Sequence, residues 1–107
     1  MASRPAPGTA GYSATKAAVE TLTRVSAVEL GRYGIRVNAL APGFLDTGMG
    51  LELRTDPRVW ERYRRKFSLG RAGAGTEVGS AAVFLASDEA SYVTGAVLEV
   101  NGGLSWS

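Results

Sequence analysis

Between residues 12 and 33, apolar and small side chains recur at helical spacing in two neighbouring stripes. Ala14, Ala18, Val25 and Val28 form one, and Val19, Leu22, Ser26 and Leu30 form the other. A helix apolar or small around so much of its girth is expected to pack on two sides. Glu20 and Arg24 stand four apart on the remaining polar edge, and Gly31 and Gly34 supply a stop. The period then changes to two: residues 35, 37, 39 and 41 of Ile35–Ala41 are apolar, as in a strand. Pro42-Gly43 suits a chain leaving a sheet. Residues 44–57 are irregular. Pro57 to Phe67 reads as an amphipathic helix with Val59, Trp60, Tyr63 and Phe67 on one side, and Arg58, Arg62, Arg65 and Lys66 elsewhere. Leu69 to Gly75 is a glycine-rich turn. Thr76 is a candidate N-cap for a helix from Glu77 to about Ala86. A turn at Tyr92–Gly95, a short strand at Ala96–Val100 and the closing Asn101-Gly102-Gly103 complete the chain, and residues 1–11 read as loop.

Helix, strand, helix, helix, strand is an order that argues for parallel pairing and an α/β layer fold. Two strands do not make a stable parallel sheet, which needs several strands and cover on both faces. The pattern therefore reads as part of a larger sheet. The 107 residues divide into a loop at 1–11, a helix and strand at 12–47, a middle segment at 48–67 and a last helix and strand at 68–107, all within one partial domain.

Composition narrows the chemistry. With 45% hydrophobic and 21% charged residues, the chain has the make-up of a folded protein. There is no cysteine and no histidine, which excludes disulfides, thiolate nucleophiles, a Ser-His-Asp triad and His- or Cys-ligated zinc, so no metal is expected. Acid–base work falls to Asp, Glu, Lys and Tyr. A net charge of +2 does not point to nucleic acid or an anionic membrane, and no apolar run reaches the ~20 residues of a bilayer span. The start lacks the apolar stretch of a secretory signal, and the expected location is the cytoplasm.

Tyr12 and Lys16 lie four residues apart, on one helix face. A free phenol, with a pKa near ~10, is a poor base at neutral pH. A cation about 4 Å away contributes roughly 4 kcal/mol at an effective dielectric of ~20, nearly three pKa units. That brings the phenol into the range for exchanging protons with an alcohol or ketone. The bare spacing arises by chance in many helices; its surroundings give it meaning.

The run from Tyr12 to Thr47, YSATKAAVETLTRVSAVELGRYGIRVNALAPGFLDT, closely resembles the short-chain dehydrogenase/reductase family. So do Leu69-Gly70-Arg71, Phe84-Leu85-Ala86-Ser87 in the helix after Thr76, Tyr92-Val93-Thr94-Gly95 and Asn101-Gly102-Gly103, in the family's order and spacing. The resemblance covers about residues 9 to 104. It implies the C-terminal portion of a Rossmann-like, doubly wound parallel sheet, and NAD- or NADP-dependent hydride transfer between nicotinamide and a small-molecule secondary alcohol or ketone. Tyr12 would be the general acid/base. Lys16 would lower the tyrosine pKa and hold the nicotinamide ribose. Pro42 and Gly43 would flank the nicotinamide ring, and Leu45 and Thr47 would hold its carboxamide. Residues 48–67 match the family's substrate lid, where Met49, Leu53 and Trp60 either line a pocket or pack the lid.

The family's glycine-rich pyrophosphate turn has no counterpart here. Gly70–Gly75 is rich in glycine, but such a loop must follow a strand and this one follows a helix. The family's catalytic serine, thirteen positions before the tyrosine, falls ahead of Met1, and Ser3 stands only nine before it. The expectation is a truncated chain, inactive alone, whose first helix and first strand expose apolar surface and favour self-association or association with related subunits. The alternative is a non-enzymatic remnant or interaction module. Nucleic-acid binding through Arg58–Lys66 is set aside, because basic residues opposite an apolar stripe are ordinarily a solvated face.

Overall fold

The computed structural model describes residues 10–43 and 56–104, apart from the side chains of residues 10–12. Helix α1 spans Ala10–Gly31. It starts two residues earlier than the sequence pattern suggests, so Ala10 and Gly11 are helical rather than loop. It ends in a Schellman motif: Gly34 takes φ +76° as C′, its N–H donates to Gly31 O at 2.9 Å, and Ile35 N–H donates to Leu30 O at 3.3 Å. The wound turn ends the helix at Gly31, before the expected residue 33.

Strand β1 is Ala39–Pro42 and strand β2 is Val97–Val100. They pair in parallel, with Ala39 opposite Val97 and Pro42 opposite Val100. The expected strand at Ile35–Ala41 thus begins four residues late and carries Pro42. Side chains take the ladder's place in the preceding stretch. Val37 N–H donates to Thr94 Oγ1 at 3.1 Å; the Asn38 amide donates to Val93 O at 2.9 Å and accepts from Ala96 N–H at 3.0 Å. The Arg36 guanidinium spans the carbonyls of Leu85 at 2.8 Å and Ser87 at 3.2 Å, tying the end of the helix at Gly75–Ala86 to this stretch. One backbone bond, Gly95 N–H to Val37 O at 2.7 Å, precedes the ladder, which opens with Ala39 N–H to Ala96 O at 2.9 Å.

Helix α2, Pro57–Arg64, is capped by Asp56, whose carboxylate accepts from Arg58 N–H at 3.0 Å and Val59 N–H at 3.4 Å, with proline in the first turn. It stops short of the expected Phe67. Phe67 leaves the helix to bridge Leu104, and beside it Ser68 and Leu69 N–H groups donate to Gly103 and Gly102 O. That exchange buries Phe67 to 4% exposure, with the Trp60 ring centroid 6.3 Å away.

Helix α3, Gly75–Ala86, also starts earlier than expected. Its N-cap is Ala74, and Thr76 sits inside the first turn. The capping is done by Glu77, whose carboxylate reaches back to accept from Ala74 N–H at 2.9 Å. Arg71 grips the same carboxylate with two nitrogens, at 2.8 and 2.9 Å, holding Glu77 at about 2, well below the ordinary glutamate value. A short 3-10 turn, Asp88–Ala90, follows, with Ala90 fully buried.

The two long helices lie on opposite faces of the strand pair. Lys16 of α1 reaches Glu99, and a side chain at Gly95 would touch Ala27 of α1, so α1 lies over the strand pair on the face that carries Val97 and Glu99. Leu40, on the alternate face, shares a groove with Ala82, Leu85 and Ala86 of α3. Among the described residues, the α1 face turned to the sheet buries Thr23 and Ala27, and Thr23 satisfies its hydroxyl on Val19 O at 2.7 Å. The stripes expected to pack on two sides are largely uncovered: Leu22 is 65% and Val28 80% exposed, and Val19 and Val25 are also exposed.

Candidate functional site

Lys16 arrives at the sheet by helix geometry. It stands on the same face of α1 as Thr23 and Ala27, the residues that seat the helix, and so its stem is carried down onto β2. Its side chain is 13% exposed and its Nζ donates to Glu99 Oε1 at 2.6 Å. Glu99 is 39% exposed, and the hydrogen bond from Lys16 is the leading cause that holds its carboxyl below the ordinary glutamate value. Glu99 stands opposite Ala41 in the register, one residue short of the carboxyl end of both strands. Lys16 is thereby delivered to the edge where open α/β sheets bind ligands.

Pro42 and Gly43 form that edge. Pro42 is the last residue of β1, and Gly43 N–H continues the pairing to Val100 O at 3.0 Å. The approach of the two chains requires glycine: a Cβ on Gly43 would lie 2.8 Å from both Cα and Cβ of Asn101. Asn101 in turn uses its side-chain oxygen to accept from Gly103 N–H at 3.0 Å, folding the chain back after β2.

Of the six residues singled out in the sequence, Lys16, Pro42 and Gly43 are therefore gathered at one end of the strand pair. Tyr12 belongs to the first turn of α1, one turn before Lys16, and its side chain lies outside the described residues. Leu45 and Thr47 lie outside them too, as do Met49 and Leu53. Trp60 packs near Phe67. On α2 and just after it the basic residues are partly engaged: Glu61 holds Arg64 at 2.6 Å and Arg65 at 3.7 Å, and Lys66 lies 5.3 Å from the Tyr63 ring centroid. Residues 70–74 lead into α3 without following a strand, and Arg71 among them is committed to Glu77. No group of His, Cys, Asp or Glu suited to a metal ion occurs among the described residues, and none of their helices is long and apolar enough to cross a membrane.

Glu99 escaped the reading of the sequence. Its signal was a charged residue inside the apolar run Ala96–Val100, a position that requires a partner when half-buried.

The model of a family described as enoyl-(acyl carrier protein) reductase matches residues 1–105. The chain belongs to the short-chain dehydrogenase/reductase family. It is 50% identical over 92 residues to galactitol 2-dehydrogenase (L-tagatose-forming) of Cereibacter sphaeroides, an alignment that takes in 86% of this chain and 36% of that protein. It is 47% identical over 100 residues to a 3-oxoacyl-(acyl-carrier-protein) reductase of Pseudomonas aeruginosa, covering 94% of this chain and 40% of the relative. Its fold superposes on 4-hydroxyisoleucine dehydrogenase complexed with NADH with a TM-score of 0.83 at 32% identity, over 88% of this chain and 39% of that one. The short-chain dehydrogenase/reductase chain described here thus spans well under half the length of these relatives, and its parallel strand pair is part of their Rossmann fold.

Proposed function

We propose that this chain supplies the tyrosine–lysine portion of an NAD- or NADP-dependent oxidoreductase, and that the 107 residues do not turn over by themselves. The observation that carries the reading is Lys16, brought by α1 to the carboxyl edge of β1 and β2 in a chain that matches the family along its length. In support, the relatives are named as a dehydrogenase of a polyol, a reductase of a 3-oxoacyl group and a dehydrogenase complexed with NADH. The common chemistry is interconversion of a secondary alcohol and a ketone.

The residues present fit the nicotinamide–ribose end of such a cofactor. Lys16 is an ammonium with three N–H donors, one of them given to Glu99, of the type that holds a ribose hydroxyl and a phenolate. Pro42 and Gly43 sit at the carboxyl edge of the strands, and by the family resemblance Leu45 and Thr47 would hold the carboxamide. The bound nicotinamide supplies the hydride acceptor or donor. Tyr12 takes the hydroxyl proton as the alcohol is oxidised and returns it to the carbonyl oxygen in reduction. Lys16 keeps the phenol acidic enough for that exchange.

A transplant tests this. The 92-residue segment of the galactitol dehydrogenase that this chain matches is replaced by the corresponding residues of this chain. The expected chimera oxidises a polyol with NAD or NADP, loses at least ~10²-fold in kcat on Tyr12→Phe or Lys16→Met, and the chain alone shows no change in nicotinamide absorbance. A chimera that folds by circular dichroism and binds NADH but transfers no hydride overturns the proposal. A second reading, an interaction module that joins related subunits, draws support from the exposed Leu22 and Val28 on α1. It leads in that event.

A further inference from the structure

The family reading gives Lys16 two tasks, on the phenol and on the ribose, and neither involves the last strand. Yet Lys16 Nζ and Glu99 Oε1 are 2.6 Å apart, joining α1 to β2 across 83 residues of chain. Resting on the proposed function, we infer that Glu99 is a positioning residue that holds the Lys16 ammonium at the carboxyl edge of the strands and sets how strongly it acts on Tyr12.

Three observations carry this. First, the lysine stem is packed, at 13% exposure, so the ammonium is directed by the groups at its tip rather than swept freely through solvent. Second, Glu99 is rigidly based. It belongs to a paired strand, opposite Ala41, with Gly43 and Asn101 locked together just beyond. Third, the carboxylate stays charged through the neutral range, the hydrogen bond from Lys16 being the first of the causes that hold its pKa low. A fixed negative charge behind the ammonium has two consequences. It fixes the direction of the remaining N–H donors. It also offsets part of the ammonium's field at the phenol, so that the tyrosine pKa stops short of the full depression a lone lysine would give. Glu20 and Tyr12 are the other titratable groups one turn from Lys16 on α1.

The test reads ionisation, so it needs no turnover. The chain is labelled with carbon-13 at tyrosine Cζ and glutamate Cδ and titrated by NMR; Tyr12 is assigned by Tyr12→Phe and Glu99 by Glu99→Gln. In Lys16→Met, the Glu99 carboxyl midpoint is expected to rise from about 2 toward the ordinary glutamate value. In Glu99→Gln, the Tyr12 midpoint is expected to fall. A carboxylate and a phenol about 7 Å apart interact, at effective dielectrics between about 20 and 80, by on the order of one pKa unit. Glu99→Asp keeps the charge and restores most of the shift, and Tyr33, Tyr63 and Tyr92 stay put as internal controls. A Tyr12 midpoint unmoved in Glu99→Gln, with the other tyrosines showing an intact fold, overturns the inference. So does a Glu99 midpoint indifferent to Lys16→Met. Loss of the oxidoreductase reading is seen separately, as a folded transplant without hydride transfer, and leaves these midpoints unaffected.

Discussion

Replacing Gly43 with alanine is the sharpest structural test of the site's edge. The added methyl would sit 2.8 Å from Asn101 Cα and Cβ and 3.3 Å from Asn101 O. Carbon atoms in contact prefer about 3.5–4.0 Å, so the two chains must separate by the better part of an ångström. The atoms opposed are backbone and Cβ, which cannot rotate away as the end of a flexible side chain can. Separation strains the Gly43 N–H bond to Val100 O, now 3.0 Å, and the turn that Asn101 closes behind β2. Overpacking of this kind costs about 1–3 kcal/mol, and the upper half is expected where backbone must move. At ~4–8 °C per kcal/mol for a small domain, Tm falls by roughly 10 °C or more. Gly79→Ala is the matched control. It adds the same methyl inside α3, where nothing lies within 4 Å, and is expected to stabilise by about 0.5–1 kcal/mol through helix propensity. Urea unfolding of both variants against the parent decides the matter. A Gly43→Ala variant as benign as Gly79→Ala would refute the argument that close approach, rather than local flexibility, demands glycine beside Pro42.

Two further outcomes are expected. Arg36→Met leaves the carbonyls of Leu85 and Ser87 without their charged donor and should cost about 2 kcal/mol in urea unfolding; Arg36→Lys should recover only part, since one ammonium does not span the carbonyls as a guanidinium fork does. Glu77 has a folded pKa of about 2, below its unfolded value, so its contribution is complete above the unfolded pKa and is lost as pH falls toward 2. The gap in urea midpoint between the parent and Glu77→Gln should therefore be constant from pH 5 to 7, shrink below about pH 4.5 and close near pH 2; a gap independent of pH would rule out the Arg71–Glu77 pairing as its source.

Local chemistry was readable from the chain because its causes are local. Periods of 3.6 and 2 placed α1 and the first strand, since burying one face imposes them on any helix or strand. The run beginning at Tyr12 identified the family and, with it, the residues to watch, among which Lys16, Pro42 and Gly43 do come together. Boundaries were set by something else. The expected strand at Ile35 starts only at Ala39, because the side chains of Asn38 and Thr94 take hydrogen bonds that a ladder would otherwise make. The expected cap at Thr76 moved to Ala74 because the Glu77 carboxylate, held by Arg71, was better placed to satisfy the helix's first donors.

The amino-acid order alone established an α/β chain with parallel strands, a tyrosine and a lysine on one helix face, and a Pro-Gly exit from the first strand. Those are properties of neighbours along the chain. Only the folded arrangement brought Glu99 to Lys16, Asn101 against Gly43 and Gly103 against Ser68, pairs separated by between 35 and 83 residues. No periodicity encodes such meetings. They follow from the parallel register of β1 and β2 and from the way Thr23 and Ala27 seat α1 on that pair, which fixes where a long side chain one or two turns away must end.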